Sequence, residues 1–285
     1  ILDLLYKKIK TVVNKIGEVG GPYRTYQMDV LAGKNDTLVS LIEDGVHLQF
    51  DLAKVYWCSR LFGDRMQLMQ EFKRGETIAD AFCGVGAVCI MAAAKRGCKI
   101  LANDLNPDAV HYARENAKKN GLSHDQMIVQ CGDAYDFIAG LGLREDALDG
   151  TLEPRKLFFP DHLLMNYPLD SPRFLQALRW WPGEAWMHVI TTVHLYTFAK
   201  PDGPEVEPEK RRGVLEVAVD LVSESLFPIG GAIERNPDNK VFLDSYGCQV
   251  KMREVRDVAP EKVVVCVSFK ITQKLLVAMR GTFGE

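Results

Sequence analysis

Apolar and polar residues alternate along 25–31, and β-prone runs follow over 38–42 and 46–52, the period of two expected of half-buried strands. Gly33 to Asp36 and Asp44-Gly45 supply turns between them. Residues 1–72 are therefore expected to form a small mixed α+β domain. From Glu76 the pattern changes, and residues 73–285 read as a second, larger domain. Thr77 to Phe82 is a short buried strand, Ala87 to Lys95 a helix, Cys98 to Ala102 a strand and Pro107 to Lys119 a helix. Asn106 is placed to cap that last helix and Asn120-Gly121 to end it. Met127 to Cys131 and His162 to Met165 are predicted strands, and Phe174 to Trp180 and Arg212 to Leu226 helices. Met187 to Val193 and Val263 to Ile271 are strongly β, and Pro201 to Lys210 reads as an exposed loop. Strands alternating with helices imply an α/β fold, a parallel sheet with helices on both faces.

Composition narrows the function classes. The chain has 285 residues, 47% hydrophobic and 26% charged, as an ordinary globular protein does. No apolar run reaches the roughly 18 residues of a membrane span, so no membrane partner is expected. The net charge of −3 argues against nucleic-acid binding through bulk charge. A local basic face is compatible with it, because Lys7, Lys8, Lys10, Lys15, Arg24, Lys34, Arg60, Arg65, Lys73 and Arg74 gather in the first quarter. The seven cysteines contain no C-x-x-C pair and read as small core residues in a reducing, intracellular compartment, with no metal site. The first residue is Ile1 and no basic-then-apolar leader follows it, which reads as a fragment of a longer protein.

The chemistry concentrates at strand ends. Asp80-Ala-Phe-Cys-Gly84-Val-Gly86 ends one strand and opens a helix, and its glycines let the backbone approach a ligand. Asp104 ends the next strand, where a carboxylate can accept hydrogen bonds from two ribose hydroxyls. Asp133 ends the third, where an adenine amino group is expected. A dinucleotide and S-adenosylmethionine both fit this geometry. The acidic start, and Cys89 where a third glycine would cradle a pyrophosphate, favour S-adenosylmethionine. After the fourth strand, Asn166-Tyr167-Pro168 puts an amide that both donates and accepts beside the reacting centre, able to grip the edge of a flat heterocycle. Asn and Pro are also common in turns that merely end a strand; the upstream motifs tip the balance.

Together these residues resemble a known family, the archaeal and eukaryotic-type tRNA (guanine-N1)-methyltransferases acting at position 37. The likeness runs through Val12 to Gly17, Pro22-Tyr-Arg-Thr25, Leu31-Ala-Gly33 and Phe50 to Arg65, then through the three strand-end motifs and Asn166-x-Pro168. It closes on Val193 to Phe198 and Val255 to Pro260. The resemblance implies a class I, Rossmann-like methyltransferase sheet preceded by a small domain that faces the tRNA anticodon stem-loop, in a monomer. It implies Asp64 as the base that removes the guanine N1 proton and Arg24 as the cation that stabilises the exocyclic oxygen. Asn166, Pro168 and Tyr56 then contact the target base. Arg65, Phe82, Gly84, Gly86, Asp104, Leu105, Asp133, Ala134 and Asn166 line S-adenosylmethionine.

Two departures stand out. The family's general-base Glu is Asp64 here, one methylene shorter, and Tyr167 replaces the Leu of the family's Asn-Leu-Pro. The family also carries an N-terminal tRNA-binding domain that these residues do not contain. Rival readings are a wybutosine-pathway aminocarboxypropyl transferase, which lacks Asn-x-Pro, a nicotinamide-dependent oxidoreductase, and a non-catalytic tRNA-binding relative.

Overall fold

The computed structural model describes residues 9–141, 159–181, 190–207, 209, 211–227 and 238–281. They fall into two compact units, residues 1–75 with 83–132, and residues 76–82 with 133–285.

In the first unit, β1 (Thr11–Gly20) and β2 (Thr25–Gly33) pair antiparallel. The β1 strand was not anticipated from periodicity. β3 (Leu38–Glu43) and β4 (Val46–Asp51) form a hairpin closed by Asp44 and Gly45, both at positive φ (47° and 78°). That backbone twist matches right-twisted strands. Val46, Leu48 and Phe50 alternate inward on β4 at 2%, 1% and 0% exposure. The hairpin docks on α2 (Ala87–Arg96) and α3 (Pro107–Lys119) through polar side chains of α3. Asn116 Oδ1 accepts from Gln49 N–H at 2.8 Å, and Asn120 Oδ1 accepts from His47 N–H at 2.9 Å while its amide nitrogen donates to His47 O. Asn106 caps α3 as expected, its side chain accepting from Asp108 N–H at 3.0 Å, with Pro107 at the first helical position. A helix not anticipated, α1 (Phe62–Glu71), precedes the glycine turn. β6 (Lys99–Asp104) and β7 (Met127–Cys131) run parallel.

The second unit carries β5 (Thr77–Asp80), β8 (His162–Met165) and β9 (Thr192–Ala199), in register and parallel. The parallel strands end at the far side of the sheet. β11 (Lys262–Lys270) runs antiparallel to β9, and β10 (Lys251–Ala259) antiparallel to β11. A two-residue turn, Pro260-Glu261, joins them with Glu261 at φ 59°, so no crossover helix is needed. Within this unit the strand order is β10-β11-β9-β8-β5. The strand expected over Met187 to Val193 begins at Thr192, and residues 182–189 lie outside the described residues. The expected helix over Phe174 to Trp180 is a 3-10 helix, Ser171–Trp180. It packs against α4 (Ala134–Leu141), α5 (Val214–Leu226) and α7 (Gln273–Gly281), while α6 (Asn239–Ser245) packs on α5.

A polar chain crosses this unit's core. His162 Nε2 lies 3.0 Å from Glu76 Oε2, His162 Nδ1 lies 3.0 Å from His194 Nε2, and His194 Nδ1 lies 2.9 Å from Ser268 Oγ. Burial keeps the His194 ring neutral, so along this chain one of its nitrogens donates and the other accepts.

Candidate functional site

In the first unit the Gly84 N–H donates to Asp104 Oδ2 at 2.8 Å, and the Asn106 N–H donates to Asp104 Oδ1 at 2.9 Å. The turn and the end of β6 are therefore one hydrogen-bonded piece. Gly84 and Gly86 have φ of 54° and 85°, a region that side chains disfavour. They differ in their surroundings. Among the described residues, no atom beyond its chain neighbours lies within 4 Å of a Cβ built on Gly84, which leaves its backbone open to a ligand. A Cβ on Gly86 would press on Ile90, Met127 and Ala113 at 3.2–3.4 Å, so that glycine serves helix-to-sheet packing. Burial pushes the Asp104 carboxyl above the ordinary carboxylate range, against the pull of backbone amides of Asn106, Gly84 and Leu105. Each oxygen retains accepting capacity beyond one amide, which suits two hydroxyl donors. Leu105 is 44% exposed beside it.

The same unit holds the residues that the family resemblance assigns to catalysis. Arg24 sits at φ 55° where the chain turns into β2, its N–H donating to Gly21 O at 3.3 Å. Two residues on, the Tyr26 ring stacks on Tyr56, centroids 6.4 Å apart and 22° from parallel, with Lys15 Nζ 3.7 Å from the Tyr26 centroid. Tyr56 thus meets the strand that Arg24 leads into. Asp64 stands in the first turn of α1 and is 9% exposed. Its neighbour Arg65, expected near the cofactor, is held by Glu43: Nε to Oε2 at 3.0 Å and Nη2 to Oε1 at 2.8 Å. The guanidinium also lies 4.7 Å from the Trp57 ring centroid. Glu43, Trp57 and Tyr26 were not singled out by sequence reasoning. Nothing in their spacing marks them, since each needs the fold to bring its partner near.

In the second unit, Asp80 Oδ1 accepts from Phe82 N–H at 3.1 Å. The Phe82 ring stacks on Tyr167, 5.2 Å between centroids and 15° from parallel, with the Phe174 edge 5.2 Å away. Tyr167, the departure from the family's Leu, is therefore the partner of a residue expected to line the cofactor. The Asn166-Tyr167-Pro168 loop is tightly held. Ser171 Oγ donates to Met165 O at 2.8 Å and accepts from Tyr167 N–H at 3.0 Å, while Phe198 N–H donates to Pro168 O at 2.9 Å. Asn166 and Pro168 are half-buried. Asp133 precedes α4, its Oδ1 accepting from Tyr135 N–H at 2.7 Å, and Ala134 is buried at 4% exposure. Among the described residues no helix is long and apolar enough to cross a membrane.

A family model for the TRM5/TYW2 methyltransferase domain matches residues 40–219. A Phaeodactylum tricornutum protein named tRNA (guanine(37)-N(1))-methyltransferase 2 is 47% identical, covering 92% of this chain and 48% of that protein. Its Dictyostelium discoideum namesake, tRNA (guanine(37)-N(1))-methyltransferase, is 32% identical over 93% of this chain and 50% of its own length. The chain thus spans about half the length of these relatives. The crystal structure of Methanocaldococcus jannaschii Trm5 in complex with adenosine superposes with a TM-score of 0.60 at 26% identity, covering 94% of this chain and 63% of that one. With the family model matching well over half of its residues, the chain belongs to the TRM5/TYW2 methyltransferase-domain family.

Proposed function

We propose that this protein transfers a methyl group from S-adenosylmethionine to N1 of guanosine 37 in the tRNA anticodon loop. The observation that carries the reading is 47% identity, across 92% of the chain, to a protein named for that reaction. The motifs at successive strand ends support it, and so does the Asn166-x-Pro168 loop, which the rival aminocarboxypropyl transferase lacks. In this reading Gly84 lends open backbone to the cofactor and Asp104 accepts from its ribose hydroxyls. Asp133 and Ala134 face the adenine, and Phe82, Leu105, Gly86, Asn166 and Arg65 complete the surroundings. S-adenosylmethionine supplies an electrophilic methyl on its sulfonium.

The protein's own residues make the guanine a nucleophile. N1 carries a proton at neutral pH, and Asp64 takes it as general base. Negative charge then grows on the exocyclic oxygen, where the Arg24 guanidinium stabilises it. Asn166 grips the base edge, Pro168 shapes the turn, and Tyr56 packs beside the target. A nucleotide in an anticodon loop is already single-stranded, which lowers the cost of turning its base out. Residues 1–72 are the tRNA-facing segment in this scheme.

The test is incubation of the full-length protein with labelled cofactor and tRNA bearing guanosine or adenosine at position 37. Label incorporated as 1-methylguanosine, with guanosine only, is the expected result. A product carrying the aminocarboxypropyl group, or no product, overturns the proposal.

A further inference from the structure

A cavity of about 430 Å³ lies directly beyond the Asn166–Pro168 loop. Its walls are the segment after the loop at Leu169 and Asp170, the 3-10 helix from Pro172 to Gln176, the end of β9 at Phe198, and the last turns of α5 at the apolar Leu221 and at Glu224. The Phe198 N–H to Pro168 O bond ties one wall to the loop proposed to hold the target base. Leu169, on the cavity wall, follows Asn166 by three residues, at most about 11 Å of chain. The cavity also sits at the carboxyl ends of parallel β8 and β9, the edge of such a sheet where ligands bind.

The lining defines what fits. Arg173 is paired with Asp170, Nε to Oδ2 at 3.0 Å, so its charge is already answered. Glu224 adds a further carboxylate, and a phosphate would meet net negative charge. A neutral heteroaromatic ring carrying N–H donors meets the opposite. Phe198 offers an aromatic surface, with Lys262 Nζ 4.4 Å from its centroid. The Glu224 carboxylate offers acceptors, and Gln176 Oε1, which accepts from Arg179 Nη2 at 3.0 Å, keeps a second lone pair. Unstacked bases are read by such combinations of ring stacking and edge hydrogen bonds.

We propose that this cavity is a second nucleobase pocket, which takes a neighbour of the target guanosine through its ring face and exocyclic amino group. The proposal rests on the tRNA reading above. It accounts for a feature which that reading leaves unused, a cavity of mixed polar and apolar lining joined by one backbone bond to the base-gripping loop.

The experiment uses the full-length protein and tRNA transcripts with guanosine at the target position and each of the four bases on either side. The wild-type enzyme is expected to discriminate about tenfold in kcat/KM against uridine, which has no amino group, at one of the flanking positions. Glu224→Ala and Gln176→Ala, one at an exposed and one at a half-exposed position, should each flatten that preference to near unity. They should raise KM for tRNA several-fold and leave kcat and the KM for S-adenosylmethionine unchanged. If the wild type methylates guanosine but shows no flanking preference, or if both variants keep it, the pocket is refuted and the parent reading stands. If the wild type leaves every transcript unmethylated, both fall.

Discussion

Asp104 shows how a single carboxylate can be fixed in place and still have accepting capacity left for a ligand. Backbone amides hold its oxygens, while burial raises its pKa above the ordinary 3.8. Ribose hydroxyls are donors, so the ionised form binds and the protonated form does not. Lowering the pH through that raised pKa should therefore weaken S-adenosylmethionine binding, in a window above the usual carboxylate range. Asp104→Asn should lose about 100-fold or more in affinity and with it the acid dependence. Calorimetric titration giving wild-type affinity for the variant would remove Asp104 from the site. Asp64 makes a different claim. Asp64→Asn should cut kcat by roughly 10²–10⁴-fold with cofactor affinity unchanged, and Asp64→Glu, restoring the family residue, should keep activity. Arg24→Ala should likewise slow methylation far more than it weakens cofactor binding; equal losses in the two would count against its role at the oxygen. Asp104 was legible because strand-end acids follow the glycine turn in order. Asp64 and Arg24 were not legible from the residues themselves, since an acid on a helix and an Arg at a turn are commonplace. The family order alone marks them.

At the scale of elements, β7, β8 and α3 were legible to the residue, because their apolar runs are short, buried and bracketed by capping and turn residues. The α1 helix escaped because the face it buries includes the charged pair Asp64 and Arg65 alongside Leu68 and Met69, which obscures the helical apolar stripe. β10 escaped for a related reason. As the edge strand of the sheet it carries Lys251, Arg253, Glu254, Arg256 and Asp257, the charged composition that protects edges. The chain from Ser268 to Glu76 was equally hidden, since it joins β11, β9 and β8 to the residue before β5. It makes a measurable prediction. Burial first, then the charges of His162, Arg253 and Lys251, depress the His194 pKa from 6.5 to about 3. Between those values the unfolded chain binds a proton that the native ring refuses, so stability falls as pH falls from about 6.5 towards 3. The slope from this group is at most about 1.4 kcal/mol per pH unit. His194→Gln removes that slope, so urea denaturation at pH 7, 6 and 5 should show wild type losing stability faster than the variant. Parallel losses would mean that His194 is not held neutral.

At the scale of the whole molecule, the strands before α1 are coupled to the glycine turn through one buried amide. Asn116, fully buried, accepts from Gln49 N–H on β4 and donates to Val85 O, between Gly84 and Gly86, at 3.1 Å. It therefore ties the hairpin, the α3 helix and the proposed cofactor turn into one rigid piece. Periodicity could not show this, because an Asn inside a helix reads as a solvated position until two distant backbones are known to converge on it. Replacing it by Ala would leave a buried N–H and a buried C=O without partners, at about 1–3 kcal/mol each. Asn116→Ala is therefore expected to lower Tm by several degrees. It should also weaken S-adenosylmethionine binding, because Val85 O is no longer anchored, although Asn116 is not proposed to touch the cofactor. Asn120→Ala separates the two effects. Its bonds reach His47 at the exposed rim of the hairpin and none goes to the turn, so it should cost stability while leaving affinity intact. Thermal melts with and without cofactor read both quantities. If Asn116→Ala and Asn120→Ala behaved alike in affinity, the hairpin would be only a brace, and the link from the N-terminal strands to the cofactor turn would not exist.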